Sequence, residues 1–204
     1  MSALSLVHRY VPATKAGVPP LLLLHGTGGD ENDLLPLGEA IAPGAALLSP
    51  RGTVLENGMP RFFRRLAEGA FDIPDLMART YELADFVASA RAEYGLAPPI
   101  AVGFSNGANI AVSLLLTQPS QLAGAVLMRA VLPFEPPHLP QLNGRRVLLL
   151  SGEADPLVPA ASSNRLAAAL KAAGANVDHD IIPAGHNLTQ KDVVIAKNWL
   201  EQFK

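Results

Sequence analysis

The run Gly103-Phe104-Ser105-Asn106-Gly107 closes the apolar stretch Pro99-Ile100-Ala101-Val102 and opens the helix-like stretch Ala108 to Thr117. A serine at a tight strand-to-helix turn is presented to solvent, and the G-x-S-x-G pattern removes Cβ atoms that would strike the neighbouring strand and helix. The expected structure is a strained elbow with the Ser105 hydroxyl raised above a sheet. Glycine and serine are common, so five residues alone also match an ordinary turn, and the rest of the chain has to agree.

Three other strand ends agree. The aliphatic run Arg146-Val147-Leu148-Leu149-Leu150-Ser151-Gly152 is followed by Glu153-Ala154-Asp155-Pro156, which puts Asp155 in a loop beyond a buried strand. The strand-like Val177 to Ile182 leads to Pro183-Ala184-Gly185-His186, ahead of a helix starting near Thr189. Serine, acid and histidine thus follow one another in the order found in α/β-hydrolases. The roles expected are Ser105 as nucleophile, Asp155 as orienting acid and His186 as base. Asp178 and Asp180 are competing carboxylates, on strand positions that suit the role less well, and Asp155 could instead be a turn or capping aspartate. Upstream, Pro19-Pro20-Leu21-Leu22-Leu23-Leu24 ends in His25-Gly26-Thr27-Gly28-Gly29-Asp30, a loop poor in side chains that exposes its amides. The backbone N–H groups of Thr27 and of Asn106 are the expected oxyanion donors. His25 is expected to order this loop. The loop is not a dinucleotide fingerprint, because Glu31 stands where the third glycine belongs and no phosphate-binding lysine follows.

Short aliphatic runs alternate with longer helix-like segments along the whole chain. Strands are expected at Leu4 to Val11, Leu21 to His25, Ala45 to Ser49, Ile100 to Phe104, Gly124 to Met128, Val147 to Ser151 and Val177 to Ile182. Helices are expected at Asp33 to Ile41, Asp75 to Tyr94, Ala108 to Thr117, Pro159 to Ala173 and Thr189 to Phe203. In the second helix Leu76, Thr80, Leu83, Val87, Ala90 and Tyr94 form one face. Aliphatic strands with amphipathic helices between them predict an α/β fold, and the order serine, acid, histidine is that of the α/β-hydrolase fold. Its central sheet is mostly parallel, has about seven strands and carries helices on both faces, with ligands beyond the strands' carboxyl ends. The 204 residues fit a single domain, 1–204, able to bury roughly 70 to 75 per cent of its unfolded surface. Arg129 to Arg146 is too short for a helical cap domain. The stretch Pro50 to Pro74 is the better candidate for a partial cover, with Phe62 and Phe63 expected to wall a substrate pocket together with Val158 near Asp155.

Composition narrows the function classes. A formal charge of −2 offers no basic field for nucleic acid. The absence of cysteine removes disulfides, thiolate metal sites and a thiol nucleophile. No segment combines the features of a secretion signal, and no apolar run is long enough to cross a bilayer. The expectation is a cytoplasmic protein without stable membrane insertion. The serine, acid and histidine reading adds the expectation of a small-molecule ester as partner and of neither metal nor cofactor, and a homodimer is left open.

The segments His25 to Glu31, Gly103 to Gly107, Gly152 to Pro159 and Gly185-His186 together resemble the phospholipase/carboxylesterase family of α/β-hydrolases, and the likeness covers nearly the whole chain. The resemblance implies a cap-less serine carboxylesterase with Ser105, Asp155 and His186 as its triad and an oxyanion hole at Thr27 and Asn106. Two departures separate the chain from the acyl-protein thioesterases of that family. Met59-Pro60-Arg61-Phe62-Phe63 stands where a tryptophan is common, and Thr27 where a leucine is frequent; both weigh against long-acyl, protein-directed thioesterase activity and favour a small bacterial carboxylesterase, whose expected substrates are small to medium acyl esters. Dienelactone hydrolase relatives use a cysteine that this chain lacks. Thioesters and lysophospholipids are alternatives of the same chemistry, a silent binding module on the same fold is an alternative of another class, and a cofactor-dependent α/β oxidoreductase is a third. Activity is expected to rise with pH as the imidazole base loses its proton, about 6.5 for an ordinary histidine.

Overall fold

Aliphatic runs without polar alternation form strands that must be covered on both faces, and the chain supplies them in turn. In the computed structural model, residues 4–67, 69–136 and 138–203 are described; Met1, Ser2, Ala3, Glu68, Pro137 (within the proline-rich stretch after Arg129) and Lys204 lie outside the described residues. Strands β1 (His8–Val11), β2 (Leu21–Leu24) and β3 (Leu47–Pro50) come first, with helix α1 (Leu35–Ile41) before β3. A surface excursion then carries two small hairpins, β4 (Val54–Glu56) with β5 (Met59–Arg61) and β6 (Arg65–Ala67) with β7 (Ala70–Phe71). The remainder runs α2 (Ile73–Tyr94), β8 (Ile100–Phe104), α3 (Asn106–Thr117), β9 (Gly124–Met128), β10 (Arg146–Gly152), α4 (Ala160–Ala172), β11 (Asn176–Ile182) and α5 (Gln190–Leu200).

The seven-stranded sheet has the order β1-β3-β2-β8-β9-β10-β11. Every neighbouring pair is parallel except β1 with β3. This is the α/β architecture expected from the sequence. Because successive side chains on a strand point to opposite faces, the four leucines of β2 divide between two cores. Leu22 and Leu24 join the core under α2, α3 and α4, whereas Leu21 and Leu23 join the one under α1 and α5. Helix α3 is buried from Asn106 to Leu116, and α2 buries the face read from its spacing, including Leu76, Thr80, Leu83, Val87 and Ala90. Asp72 caps α2 by accepting from Asp75 N, and Gly95 ends it in the left-handed conformation. No described helix is long and apolar enough to cross a membrane.

The differences from expectation lie at element ends and in the excursion. Strand β1 begins at His8, four residues later than its apolar pattern. Helix α1 begins at Leu35, with Pro36 in its first turn, where a missing N–H costs nothing. Helix α5 stops at Leu200 and tightens into a 3₁₀ turn through Phe203. Residues 54–71, expected as a long loop, pair as hairpins; in the first, Asn57 and Gly58 both take positive φ, the geometry of a two-residue turn that matches strand twist. Strands β8, β10 and β11 deliver Ser105, Asp155 and His186 to one edge of the sheet.

Candidate active site

Ser105 sits between β8 and α3 at φ 52° and ψ −113°, a conformation that costs a non-glycine residue about 1–3 kcal/mol and persists only where its surroundings enforce it. Here they do. Ser105 N donates to Met128 O of β9 at 2.9 Å, and Asn109 N donates to Ser105 O at 2.9 Å as the helix begins. The flanking glycines serve close approach: a Cβ on Gly107 would lie 2.0 Å from Leu24 O, and one on Gly103 would lie 2.7 Å from the Ala108 backbone.

His186 places Nε2 at 3.0 Å from Ser105 Oγ and Nδ1 at 2.8 Å from Asp155 Oδ2. An ionised carboxylate can only accept, so Nδ1 carries the proton and the Nε2 lone pair faces the serine hydroxyl. The Asp155 side chain is buried, and its other oxygen accepts from Leu157 N at 2.8 Å and Val158 N at 3.1 Å. Those two amides replace the water that a buried carboxylate would otherwise need. Asp178 and Asp180 lie elsewhere in the hydrogen-bond pattern: Asp178 accepts from Trp199 Nε1 at 2.7 Å, on the α5 side of the sheet.

Across from the histidine stands the Gly26-Thr27-Gly28-Gly29 loop. His25 donates from Nδ1 to Gly26 O at 2.7 Å and accepts at Nε2 from Gly52 N at 3.0 Å, so both ring nitrogens are used by the neutral form. Burial holds its pKa below the ordinary 6.5, against the pull of the Gly26 carbonyl and nearby acids. Gly28 N donates to Pro60 O at 2.9 Å, and Arg61 Nη1 donates to Thr27 Oγ1 at 2.7 Å. Asn106 adds a tie that sequence reasoning missed: its Oδ1 accepts from Phe62 N at 2.8 Å, which fastens the hairpin excursion to the elbow. Glu56 links the two hairpins, accepting from Arg61 at 3.1 Å and from Arg65 at 2.9 Å.

A cavity of about 890 Å³ opens above Ser105 and His186, bordered by Thr27, Asn106, Phe71, Phe104, Leu132 and Val158 among others. Phe62 and Phe63, expected beside Val158, do not border the cavity: they are 3% and 0% exposed. Phe62 packs on the His25 ring with centroids 4.7 Å apart, and Phe63 meets Phe71 edge-on at 5.2 Å. The bond from Phe62 N to Asn106 aims that stretch inward, and Phe71 and Phe104 take the cavity wall instead. Beneath His186 lies a second feature that local sequence did not disclose, a buried pair of Arg129 with Asp192 at 2.7 Å. Asp192 could have been noticed, since Thr189-Gln190-Lys191-Asp192 has the spacing of a capping box, and both of its bonds are present. Among the described residues, no group of His, Asp and Glu side chains is arranged to hold a metal ion.

A family model described as phospholipase/carboxylesterase matches residues 81–204. The chain is 46% identical over 197 residues to a protein named putative hydrolase MhqD of Bacillus subtilis (strain 168), covering 96% of this chain and 98% of that one. A crystal structure of a Bacillus cereus carboxylesterase superposes with a TM-score of 0.96 at 45% identity, covering 99% of this chain and 96% of that one. A carboxylesterase from Mesorhizobium loti gives a TM-score of 0.93 at 33% identity, with 98% and 97% covered.

Proposed function

The chain belongs to the phospholipase/carboxylesterase family of α/β-hydrolases, and on that footing we propose that it hydrolyses carboxylic esters of small to medium acyl groups through an acyl-serine. The observation that carries this reading is the relay from Ser105 Oγ through His186 to Asp155, at 3.0 and 2.8 Å. A serine hydroxyl is a weak nucleophile until a base takes its proton during attack. His186 Nε2 accepts that proton, and Asp155 holds the ring in the right tautomer and stabilises the imidazolium. Attack at the ester carbonyl gives a tetrahedral oxyanion, for which the backbone N–H groups of Thr27 and Asn106 are the assigned donors. The protonated imidazole then protonates the leaving alcohol as the C–O bond breaks. In the second half, water gives its proton to the same nitrogen, attacks the acyl-serine and releases the acid.

The short-acyl preference is supported by the pocket's make-up: its wall mixes Phe71, Phe104, Leu132 and Val158 with Arg61, Arg65 and Arg165. A long hydrocarbon would have to lie against these guanidinium groups.

Nitrophenyl esters of increasing chain length test the reading, with a fluorophosphonate as titrant of the serine. Turnover should be greatest for short acyl chains, and one label should bind per chain. Ser105→Ala should remove the label and lower turnover by about a millionfold. A protein that takes no label is a binding module, and a panel that peaks at palmitoyl overturns the acyl assignment.

A further inference from the structure

Arg129 follows β9 directly, is completely buried and has a positive φ of 57°. A guanidinium has five N–H donors in a fixed plane, and here each one finds an acceptor. Nη1 donates to Asp192 Oδ1 at 2.7 Å and to Leu150 O at 3.2 Å. Nη2 donates to Asp192 Oδ2 at 3.0 Å and to Asn187 O at 3.1 Å, and Nε donates to Gly185 O at 3.1 Å. Two of these acceptors are the carbonyls on either side of His186. The residue before the arginine, Met128, accepts the amide of Ser105. One dipeptide at the end of β9 therefore touches the nucleophile's backbone with its first residue and brackets the base with its second.

Fold stability alone does not account for this arrangement. Burying an ion pair is often no better for stability than packing apolar side chains of similar volume. A left-handed backbone also suits glycine, and carrying a long side chain there adds strain. Both costs fall where the fork reaches residues 185 and 187 together.

We propose that Arg129 is a positioning residue, locked by Asp192, that sets the separation between Ser105 Oγ and His186 Nε2; the inference rests on the esterase reading above. The bidentate carboxylate fixes the plane of the guanidinium, and the guanidinium fixes the two peptide groups that carry the imidazole. Lysine at this position keeps the charge opposite Asp192 but has no planar fork to span both carbonyls. A displacement of the base by about 1 Å costs on the order of a hundredfold in rate.

Two variants test the proposal, Arg129→Lys and the apolar pair Arg129→Met with Asp192→Leu. The second removes the two charges together, so that no unpaired charge is left buried. For the folded proteins, kcat on a short nitrophenyl ester should fall by about a hundredfold with little change in KM, and labelling by the fluorophosphonate should slow in parallel. A downfield proton resonance of His186 Nδ1–H is expected in the parent from its bond to Asp155, and it should broaden or vanish in both variants. A purely structural pair would lower the unfolding midpoint and leave kcat and the resonance of the folded protein unchanged, and that result overturns the proposal. If the parent shows no Ser105-dependent hydrolysis, the esterase reading fails separately, and the His186 resonance alone then decides whether Arg129 positions the ring.

Discussion

Two walls meet at Ser105, and they are held by different forces. On the histidine side, a buried charge pair and a backbone contact fix the loop: Arg129 and Asp192 clamp residues 185 and 187, and a Cβ on Gly152 would lie 2.3 Å from Gly185 O. On the oxyanion side the pair described is shallower, Arg61 with Glu56, whose carboxylate side chain stays 26% exposed. The loop is tied by neutral His25, by Arg61 donating to Thr27 Oγ1 and by the hairpin that contributes Pro60, which Asn106 fastens to the elbow. The proposed base needs an orientation in all three dimensions, which a planar ionic fork can impose. The proposed donors need only two amides left in place, which single hydrogen bonds, without a buried bidentate pair, can secure.

The sharpest way to break the contrast is Gly152→Ala. Its new methyl has nowhere to go except into the backbone that carries His186, so kcat should fall by about a hundredfold or more, measured on soluble protein whose circular dichroism matches the parent's. An unchanged rate would mean that the histidine loop tolerates displacement, and the two walls would no longer differ in kind. A smaller effect is expected at Asn106→Ala, which leaves Phe62 N without its acceptor in a buried place. The cost should be about 1–3 kcal/mol of stability, read from urea midpoints, and a value near zero would show that the hairpins do not lean on the elbow. Thr27 and Asn106 are thus unequal, although both are proposed to act through their amides.

The smallest effect separates the walls by pH. His25 is kept neutral by burial, so its folded pKa lies below 6.5, and the unfolded chain takes up the proton first as the pH falls. Its contribution to stability is complete above 6.5 and is lost on acidification through the lowered folded value. His179 is lowered as well, by burial and by Lys171, and acts in the same direction. Each group can add at most about 1.4 kcal/mol per pH unit. Urea midpoints followed from pH 7.5 to 5.5 should fall less steeply in His25→Asn than in the parent; equal slopes would place the acid sensitivity outside the oxyanion wall.

The parts of this molecule that could be read from sequence are those whose cause is local. Four leucines in a row can only be a strand covered on both sides; Ser105 and Asp155 each stand just beyond a buried aliphatic run, and His186 beyond the strand-like Val177 to Ile182. The hairpins of residues 54–71 escaped because strands of two or three residues show no periodicity, although Asn57-Gly58 announced the turn. Phe62 and Phe63 were misplaced for a different reason. What turns them inward is an amide bond to Asn106, which lies 44 positions away, and no neighbouring residue reports it. Arg129 is the extreme case: its partner is 63 residues further on, and nothing around Leu127-Met128-Arg129-Ala130 distinguishes it from a surface arginine after a strand.

The hairpins joined by Glu56 have a consequence for how this protein can be altered. Everything they contribute to the wall over the serine comes from one surface excursion, residues 51–72, whose strands lie outside the central sheet. Exchanging that excursion between relatives is a route to new substrate preferences that leaves every sheet strand and the reacting groups as they are, provided the graft brings its own acceptor for the arginines and a backbone amide for Asn106.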